Sequence, residues 1–330
     1  MIETVVTVKL PVDETLRIKK NRLTPNEIQG NEKRLAVVTG LHGDEVGGQY
    51  VCYELIRRIK QDYDSLRGIV DVYPALNPLG LDTAKRESPF TDIDINTCFP
   101  GNDNGSIDEY VAAQILEDIK GAEVCIDVHS SSIFLKEQPQ VRINDDNVEE
   151  MLPFARSMNA DLVWIHPSST VKEGSLAYAL NEIGVKTMVI EAGVALQIYY
   201  EYCDQLIEGI FALMKKMGIW VGEIRQPKEP VIVDDSNIAF MNCETSGTFI
   251  AQAEHGTFVK KGDVIGRVVK VITGAVEEVL TAPCDGVVFS LRAYPVVEEG
   301  SLIARIVKSD FQSETAFTTI PEPTKGGADL

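Results

Sequence analysis

The sequence predicts an α/β domain, built on a sheet with helices on both faces, followed by a small all-β domain. Over the first two-thirds of the chain, short β-branched runs alternate with segments of helical periodicity. This order favours a sheet that is covered on both sides. Beyond Gln226 the helical periodicity ends, and short β-branched runs separated by glycines continue to about Val307, which is typical of an all-β unit.

Composition limits the class of protein and its partners. The chain has 330 residues, 44% of them hydrophobic, which is enough for one large core or for one large and one small core. The net charge of -19 argues against a nucleic-acid partner, because binding to a phosphate backbone requires a basic patch.

Cysteine usage and the N-terminal segment indicate the compartment. The six cysteines are scattered without a C-x-x-C pair, which suggests reducing surroundings. The start, MIETVVTVKLPVDET, lacks the basic region and long apolar run of a signal peptide. No apolar stretch approaches the ~20 residues that a membrane span requires. We therefore expect a cytoplasmic protein without a membrane partner, and assembly into a homo-oligomer stays open.

Local patterns predict each element of the α/β domain. Strands are predicted where aliphatic and β-branched residues cluster, at 34–39, 69–75, 123–128, 162–165 and 186–190. Helices are predicted where apolar residues recur at helical spacing, at 44–61, 108–120, 147–158, 174–181 and 196–217. Asp108 is the predicted cap of its helix. The segment 77–106, rich in Pro, Asn, Asp and Gly, is a long loop of the kind that usually carries function.

The change of character near Gln226-Pro227 sets the predicted domain boundaries. We predict a first domain at 1–226 and an all-β domain at 227–310. The remaining residues, 311–330, are polar and include prolines and glycines, so they are predicted to form a flexible tail.

Polar residues suited to metal catalysis follow three predicted strands. His42 and Glu45 come after the strand RLAVVT, His129 follows EVCIDV, and Glu191 follows KTMVI. Ligands of open α/β sheets bind beyond the carboxyl ends of the strands, so these side chains are expected to converge. Catalytic zinc takes three protein ligands and leaves one position open, which His42, Glu45 and His129 would satisfy. Asp127 lies on the same side of its strand as His129 and is a candidate for a carboxylate that supports the metal ligands from behind.

Each of these residues also has an ordinary structural explanation. Glu45 could serve only to favour a helix N-terminus. A histidine at a strand end is often only a polar residue at the point where the strand leaves the core. Together they are more specific, because two of the chain's four histidines stand at the ends of these three strands.

Four motifs in the right order add a family resemblance. They are GLHGDEVGG, NPLGLDTAKRESPFTDIDINTCFPG, DVHS and EAG. The chain resembles the succinylglutamate desuccinylase and aspartoacylase family, a branch of the zinc carboxypeptidase superfamily, over roughly residues 30–310. The resemblance implies a zinc-carboxypeptidase-like mixed sheet and one Zn²⁺ per chain on His42, Glu45 and His129. It also implies that Glu191 activates the attacking water, and that Arg86 stabilises the oxyanion.

The resemblance further implies that Asn96 helps to hold a substrate carboxylate, but the neighbouring position departs from the family. The family usually reads D-L-N-R, whereas this chain has Thr97 in place of the arginine. Threonine cannot form the bidentate clamp of an arginine on a carboxylate. Either Arg142, in QVRI, takes over this role, or the substrate lacks that carboxylate. The alternative is that Arg142 pairs with an acid such as Asp145 or Asp146 and only supports the fold.

The C-terminal part resembles a biotinyl/lipoyl-type barrel-sandwich hybrid. The resemblance rests on TFIAQAEHGTFVKKGDVIGRV and APCDGVVFSLRAYPVVEEGSLIARI. A carrier domain of that kind needs a lysine at a hairpin tip, typically within M-K-M. The stretch between the two halves offers only Lys270, in a strand-like run and without a methionine beside it. We therefore expect an unmodified domain that serves as a structural cover for the catalytic cleft.

These observations predict a zinc-dependent amide hydrolase that removes the acyl group from an N-acyl amino acid or a similar small amide. One alternative is a zinc carboxypeptidase that acts on peptides, which the cover domain and Thr97 disfavour. Another is a non-catalytic binding protein on the same scaffold, which the presence of the full ligand set and Glu191 disfavours.

Overall fold

The computed structural model describes residues 1–170 and 173–309, and the contacts within the chain divide it into two units, Met1–Asp235 and the part from Ser236 onward. The predicted tail at 311–330 lies outside the described residues. No helix of the described residues is long and apolar enough to cross a membrane. In chain order, the elements of the first unit are β1 (Ile2–Lys9), β2 (Thr15–Leu23), β3 (Arg34–Thr39), α1 (Gly47–Gln61), β4 (Ile69–Tyr73), α2 (Pro78–Thr83), α3 (Ile107–Ile119), β5 (Val124–Ser131), β6 (Leu135–Asn144), α4 (Val148–Ala155), β7 (Leu162–His166), α5 (Leu176–Glu182), β8 (Lys186–Val194), α6 (Tyr200–Met217) and β9 (Val231–Asp234).

The strands of the first unit form one mixed sheet in the order β1-β2-β4-β3-β5-β8-β6-β7-β9. At its centre β4, β3, β5 and β8 are parallel neighbours. On either side, β2 pairs antiparallel with β4, and β6 pairs antiparallel with β8. The parallel block brings the carboxyl ends of β3, β5 and β8 to one edge of the sheet, where α/β proteins bind their ligands.

Helices cover both faces of this sheet, which confirms the predicted fold class. Leu35 and Val37 of β3 belong to a core that includes residues of α1, α4 and α6. Ala36 and Val38 of the same strand belong to a second core, with residues of α3 and α5. Because alternate residues of a strand point to opposite faces, one continuous apolar run contributes to both cores.

Several element boundaries differ from the prediction. The predicted strands ended just before His129 and Glu191, whereas β5 and β8 continue through these residues. The cap of α3 is Ser106, because its hydroxyl accepts from the Glu109 N–H while the Glu109 side chain accepts from the Ser106 N–H. This reciprocal pair is a capping box, so the assignment of Asp108 as the cap was wrong.

The second unit consists of antiparallel strands arranged in two groups. The strands are β10 (Ile238–Asn242), β11 (Gly247–Ala251), β12 (Phe258–Val259), β13 (Val264–Lys270), β14 (Ala275–Thr281), β15 (Gly286–Arg292), β16 (Val296–Val297) and β17 (Leu302–Lys308). One group pairs in the order β10-β17-β15-β12 and the other in the order β14-β13-β11-β16. Their inward side chains, among them Phe249, Ile265 and Ile303, form one core. The small all-β domain is therefore present.

The division between the two units falls after Asp235, whereas the sequence predicted a boundary after Gln226. The physical reason is β9, which lies between these positions. It pairs in parallel with β7, with Val231 opposite Leu162. The segment therefore extends the sheet of the first unit instead of starting the second one.

The second unit is expected to carry no biotinyl or lipoyl group. Lys270 is the last residue of β13 and is followed by the turn 271–274, and the neighbouring residues lack the methionines that normally flank an attachment lysine. The intact-protein mass after isolation from the native host should therefore equal the mass of the unmodified chain. A mass increment that matches either group would contradict this prediction.

Candidate active site

Three adjacent parallel strands bring the candidate residues together. β5 lies between β3 and β8, and His129 of β5 stands directly opposite Glu191 of β8 in the strand register. His42 and Glu45 follow β3 in a tight turn before α1. The sheet therefore places all four predicted residues at one edge.

The turn that carries His42 depends on a glycine. A Cβ atom on Gly43 would lie 1.9 Å from the carbonyl carbon of Gly80, so no other residue fits there without moving the backbone. The N–H of Gly43 donates to the carbonyl of Arg86 over 3.3 Å. This close approach fixes the 77–106 segment against the turn and brings Arg86 to the site.

Two imidazoles and one carboxylate form a buried cluster. Nδ1 of His42 lies 2.7 Å from Oε1 of Glu45, Nδ1 of His129 lies 2.9 Å from Oε2 of Glu45, and the two Nδ1 atoms are 3.2 Å apart. All three side chains are at most 6% exposed. Among the described residues this is the group of His, Cys, Asp and Glu side chains whose ligand atoms converge closely enough to hold a metal ion.

The opposite ring nitrogens of both histidines face carboxylates. Nε2 of His42 lies 3.1 Å from Oδ1 of Asp94, and Nε2 of His129 lies 3.0 Å from Oδ1 of Asp127. Carboxylates in this position fix the ring orientation and tautomer of metal-binding histidines, so that the other nitrogen points at the metal. Asp127 was predicted for this role from its place in the strand before His129. Asp94 was missed, although it lies in the quoted motif NPLGLDTAKRESPFTDIDINTCFPG.

The electrostatics of the cluster fit a bound cation. Burial lowers the pKa of His129, but Asp127 and Glu45 raise it further, so that the pKa lies well above its usual range. Burial raises the pKa of Glu45, but the two histidines lower it below its usual range. The surroundings therefore favour positive charge between these side chains, and a divalent metal ion can supply that charge in place of protons.

Arg86 borders the cluster. Its guanidinium donates to Oε1 of Glu45 over 3.2 Å and to Oδ2 of Asp94 over 3.3 Å, and about a third of the side chain is exposed, at 34%. Asn96 and Thr97 lie farther along the same loop. The Asn96 side-chain oxygen accepts from the N–H of Leu176 over 2.9 Å, and the Thr97 hydroxyl donates to the carbonyl of Asp94 over 2.7 Å.

Arg142 lies next to Glu191. Its guanidinium donates to Oε1 of Glu191 over 3.3 Å and to Oε2 of Glu137 over 2.9 Å. The alternative partners considered for it, Asp145 and Asp146, are not its ion-pair partners; Asp145 accepts instead from the N–H of Ser168. Burial raises the pKa of Glu191 to about 7, although Arg142 lowers it.

Glu137 was missed in the sequence. It lies at the start of β6, in the run LKEQPQ, which has a proline and mostly polar residues and therefore resembles a loop. The side chain is nevertheless 1% exposed, because β6 pairs with β8 on one side and β7 on the other.

The chain thus combines an α/β sheet with a His–Glu–His cluster at its strand ends that could hold a metal ion. Residues 31–217 match the succinylglutamate desuccinylase/aspartoacylase catalytic domain. The chain belongs to this family.

Individual relatives agree with this assignment over nearly the whole chain. The chain is 25% identical over 301 residues to N-alpha-acetyl-L-2,4-diaminobutyric acid deacetylase of Halomonas elongata, which covers 85% of this chain and 84% of that protein. The product-bound ectoine utilization protein of Ruegeria pomeroyi has the same fold, with a TM-score of 0.79, 20% identity and coverage of 92% of this chain and 94% of that one. A succinylglutamate desuccinylase/aspartoacylase from Rhodobacter sphaeroides gives a TM-score of 0.75, 22% identity and 90% coverage of both chains.

Proposed function

We propose that the protein is a zinc-dependent amide hydrolase that removes the acyl group from an N-acyl amino acid or a similar small amide. The observation that carries the proposal is the His42–Glu45–His129 cluster, with both Nδ1 atoms turned towards Glu45 and both Nε2 atoms turned towards carboxylates. Glu191 stands beside this cluster as the candidate base.

The donor set suits zinc. Two imidazoles and a carboxylate are a common catalytic zinc set. Ligand nitrogens about 2.0–2.1 Å from one tetrahedral zinc ion are about 3.3 Å apart, and the two Nδ1 atoms are 3.2 Å apart. We therefore assign one zinc ion per chain to His42, Glu45 and His129.

Glu191 is assigned the proton transfers. Zinc bound at this site would lower the pKa of a water molecule and polarise the scissile carbonyl. Glu191 accepts the proton of the attacking water and later delivers it to the departing amine. A carboxylate whose pKa is raised to about 7 is suited to both transfers, because efficient acid–base catalysts have pKa values near the working pH.

The substrate assignment rests on the family and on the relative from Halomonas elongata, which is named as a deacetylase of an acetylated diamino acid. The partner is thus a small molecule. We assign to the side-chain amide of Asn96 the role of holding the substrate carboxylate. Arg142 was predicted to assist it in place of the arginine missing at Thr97, and that role stays a prediction.

A substrate screen with zinc-loaded protein tests the proposal. N-acetyl, N-succinyl and longer N-acyl amino acids are compared with short peptides, and zinc content is measured in the same samples. We expect hydrolysis of at least one N-acyl amino acid. Hydrolysis of peptides alone would favour the carboxypeptidase alternative, and zinc binding without any hydrolysis would favour a binding protein.

Replacement of Arg86 by alanine is expected to lower kcat/KM by about 10²-fold, since an oxyanion donor typically contributes 10²- to 10³-fold. The reason is that its guanidinium, beside Glu45 and partly exposed, is the donor assigned to the developing oxyanion. Lys85→Ala is the matched control, because it removes the same charge at the neighbouring position. The Lys85 side chain is 54% exposed and contacts Asp92 instead of the cluster. Equal effects of the two substitutions would contradict the assignment.

A further inference from the structure

A buried carboxylate stands beside the site without a part in the proposed reaction. Glu137 is 1% exposed, and its neighbour Gln140 is fully buried. The Gln140 amide donates to Oε2 of Glu137 over 2.7 Å, and Arg142 donates to the same oxygen over 2.9 Å. A buried charge is tolerated where it is paired and hydrogen-bonded, and Arg142 is the ion-pair partner of Glu137.

Arg142 is held on more than one side. Its Nη2 donates to Glu137, and the guanidinium carbon lies 5.5 Å from the centre of the Trp164 ring. The strand register explains this contact, since Arg142 pairs with Trp164 in the neighbouring β7. A second guanidinium nitrogen, Nη1, donates to Oε1 of Glu191 over 3.3 Å. The guanidinium therefore has little freedom to turn away from Glu191.

The two oxygens of Glu191 consequently differ. Oε1 is bound by Arg142, whereas no group within 1–170 and 173–309 donates a hydrogen bond to Oε2, which is buried. A base needs one lone pair available to the incoming proton and a fixed orientation towards it.

We propose that Arg142 is a positioning residue that holds Oε1 of Glu191, leaving Oε2 to accept the proton, and that Glu137 anchors Arg142 in this position. The proposal rests on the deacylase function proposed above and identifies what orients its base. It competes with the prediction that Arg142 grips a substrate carboxylate. Two of its guanidinium nitrogens already donate to Glu137 and Glu191, which orients the guanidinium towards these two carboxylates.

Steady-state kinetics on a free-acid substrate and its carboxamide separate the two roles. For a positioning residue, Arg142→Ala lowers kcat by about 10²-fold on both substrates, as small misplacements of a reacting group do, with little change in KM. Millimolar guanidinium ion restores part of the lost kcat, and Arg142→Lys keeps more activity than the alanine variant. A raised KM confined to the free acid, with kcat unchanged, would instead establish the substrate grip and overturn the proposal.

The variant Arg142→Ala alone removes the cation that pairs with the buried Glu137. A second variant therefore protects the experiment against misfolding. Arg142→Ala combined with Glu137→Gln removes both members of the ion pair, and it should fold while showing the same loss of kcat. Arg22→Ala is the matched control, because Arg22 is 28% exposed on the fully buried Asp71, as Arg142 is 26% exposed on Glu137. Arg22→Ala should change stability without changing kcat. A comparable loss of kcat in Arg22→Ala would show that the effect is general destabilisation.

A measurement without turnover completes the test. The unfolding equilibrium of metal-free protein is compared among wild type, Arg142→Ala, Glu191→Gln and the variant that combines Arg142→Ala with Glu191→Gln. Contacting residues are expected to show coupling, here about tenfold in the unfolding equilibrium constant. Coupling near zero would refute the Arg142–Glu191 contact. If wild type binds zinc yet hydrolyses no N-acyl substrate, the proposed function fails, while the coupling still decides whether Arg142 holds Glu191.

Discussion

Replacing Glu191 by glutamine is expected to lower kcat by on the order of 10³- to 10⁴-fold, the upper range for loss of a general base, while zinc remains bound. Glutamine has nearly the same shape, but its side-chain amide cannot accept the proton of the attacking water. The metal ligands are unchanged, because Glu191 lies on β8, whereas His42, Glu45 and His129 come from β5 and the turn after β3. Kinetics and metal analysis of the same preparation measure both quantities.

A neutralised glutamate away from the site provides the control. Glu150 is 60% exposed and pairs over 3.1 Å with Lys186, the first residue of the strand that carries Glu191. Glu150→Gln therefore removes one negative charge near the same strand without touching the cluster, and kcat should be unchanged. A Glu191→Gln enzyme that works at the wild-type rate would show that another group moves the proton.

The core of the candidate site could be predicted from the sequence because the central strands are mostly apolar. His42, His129 and Glu191 follow the runs RLAVVT, EVCIDV and KTMVI, and each marks the point where a buried strand reaches the edge of the sheet. Parallel neighbours end at the same edge, so His42, His129 and Glu191 could be expected to meet before their spacing was known.

The contacts around these residues could not be predicted in the same way. Asp94 reaches His42 because the loop folds back in a short helical turn at Ile95–Thr97, and that turn depends on tertiary contacts that leave no periodic signal. Arg142 reaches Glu191, and Glu137 reaches Arg142, because β6 lies between β8 and β7. The order of strands in a sheet is set by packing across the sheet, and a run such as LKEQPQ shows no strand pattern of its own.

The N-terminal strands were also missed, for a different reason. β1 is the edge strand of the sheet and β2 is its neighbour, and their burial alternates between exposed and buried residues. Their pairing is held by backbone hydrogen bonds between the two strands and by charged contacts such as Lys20 with Glu3, at 3.4 Å. Edge strands of this kind are rich in charged residues, which hides them among loops.

Replacing His129 by alanine is expected to reduce bound zinc from about one per chain to a small fraction, because a catalytic zinc site needs three protein ligands. Activity should fall with the metal content. The thermal midpoint of the variant should also stop responding to added zinc, since only binding to the folded state raises stability, by about 2.7 kcal/mol at a hundredfold excess over Kd. Metal analysis and thermal unfolding with and without zinc measure both effects.

Two further substitutions make this result specific to the metal site. His255→Ala removes a histidine of the second unit, whose Nε2 lies 3.0 Å from the carbonyl oxygen of Phe289, and it should leave zinc content unchanged. Asp127→Asn keeps all three ligands but weakens the carboxylate behind His129, so zinc affinity should fall by about 10- to 100-fold without being abolished. A graded series of this kind, with His129→Ala lowest and Asp127→Asn intermediate, is what a site built from His42, Glu45 and His129 requires. Undiminished zinc in His129→Ala would mean that the metal binds elsewhere in the chain.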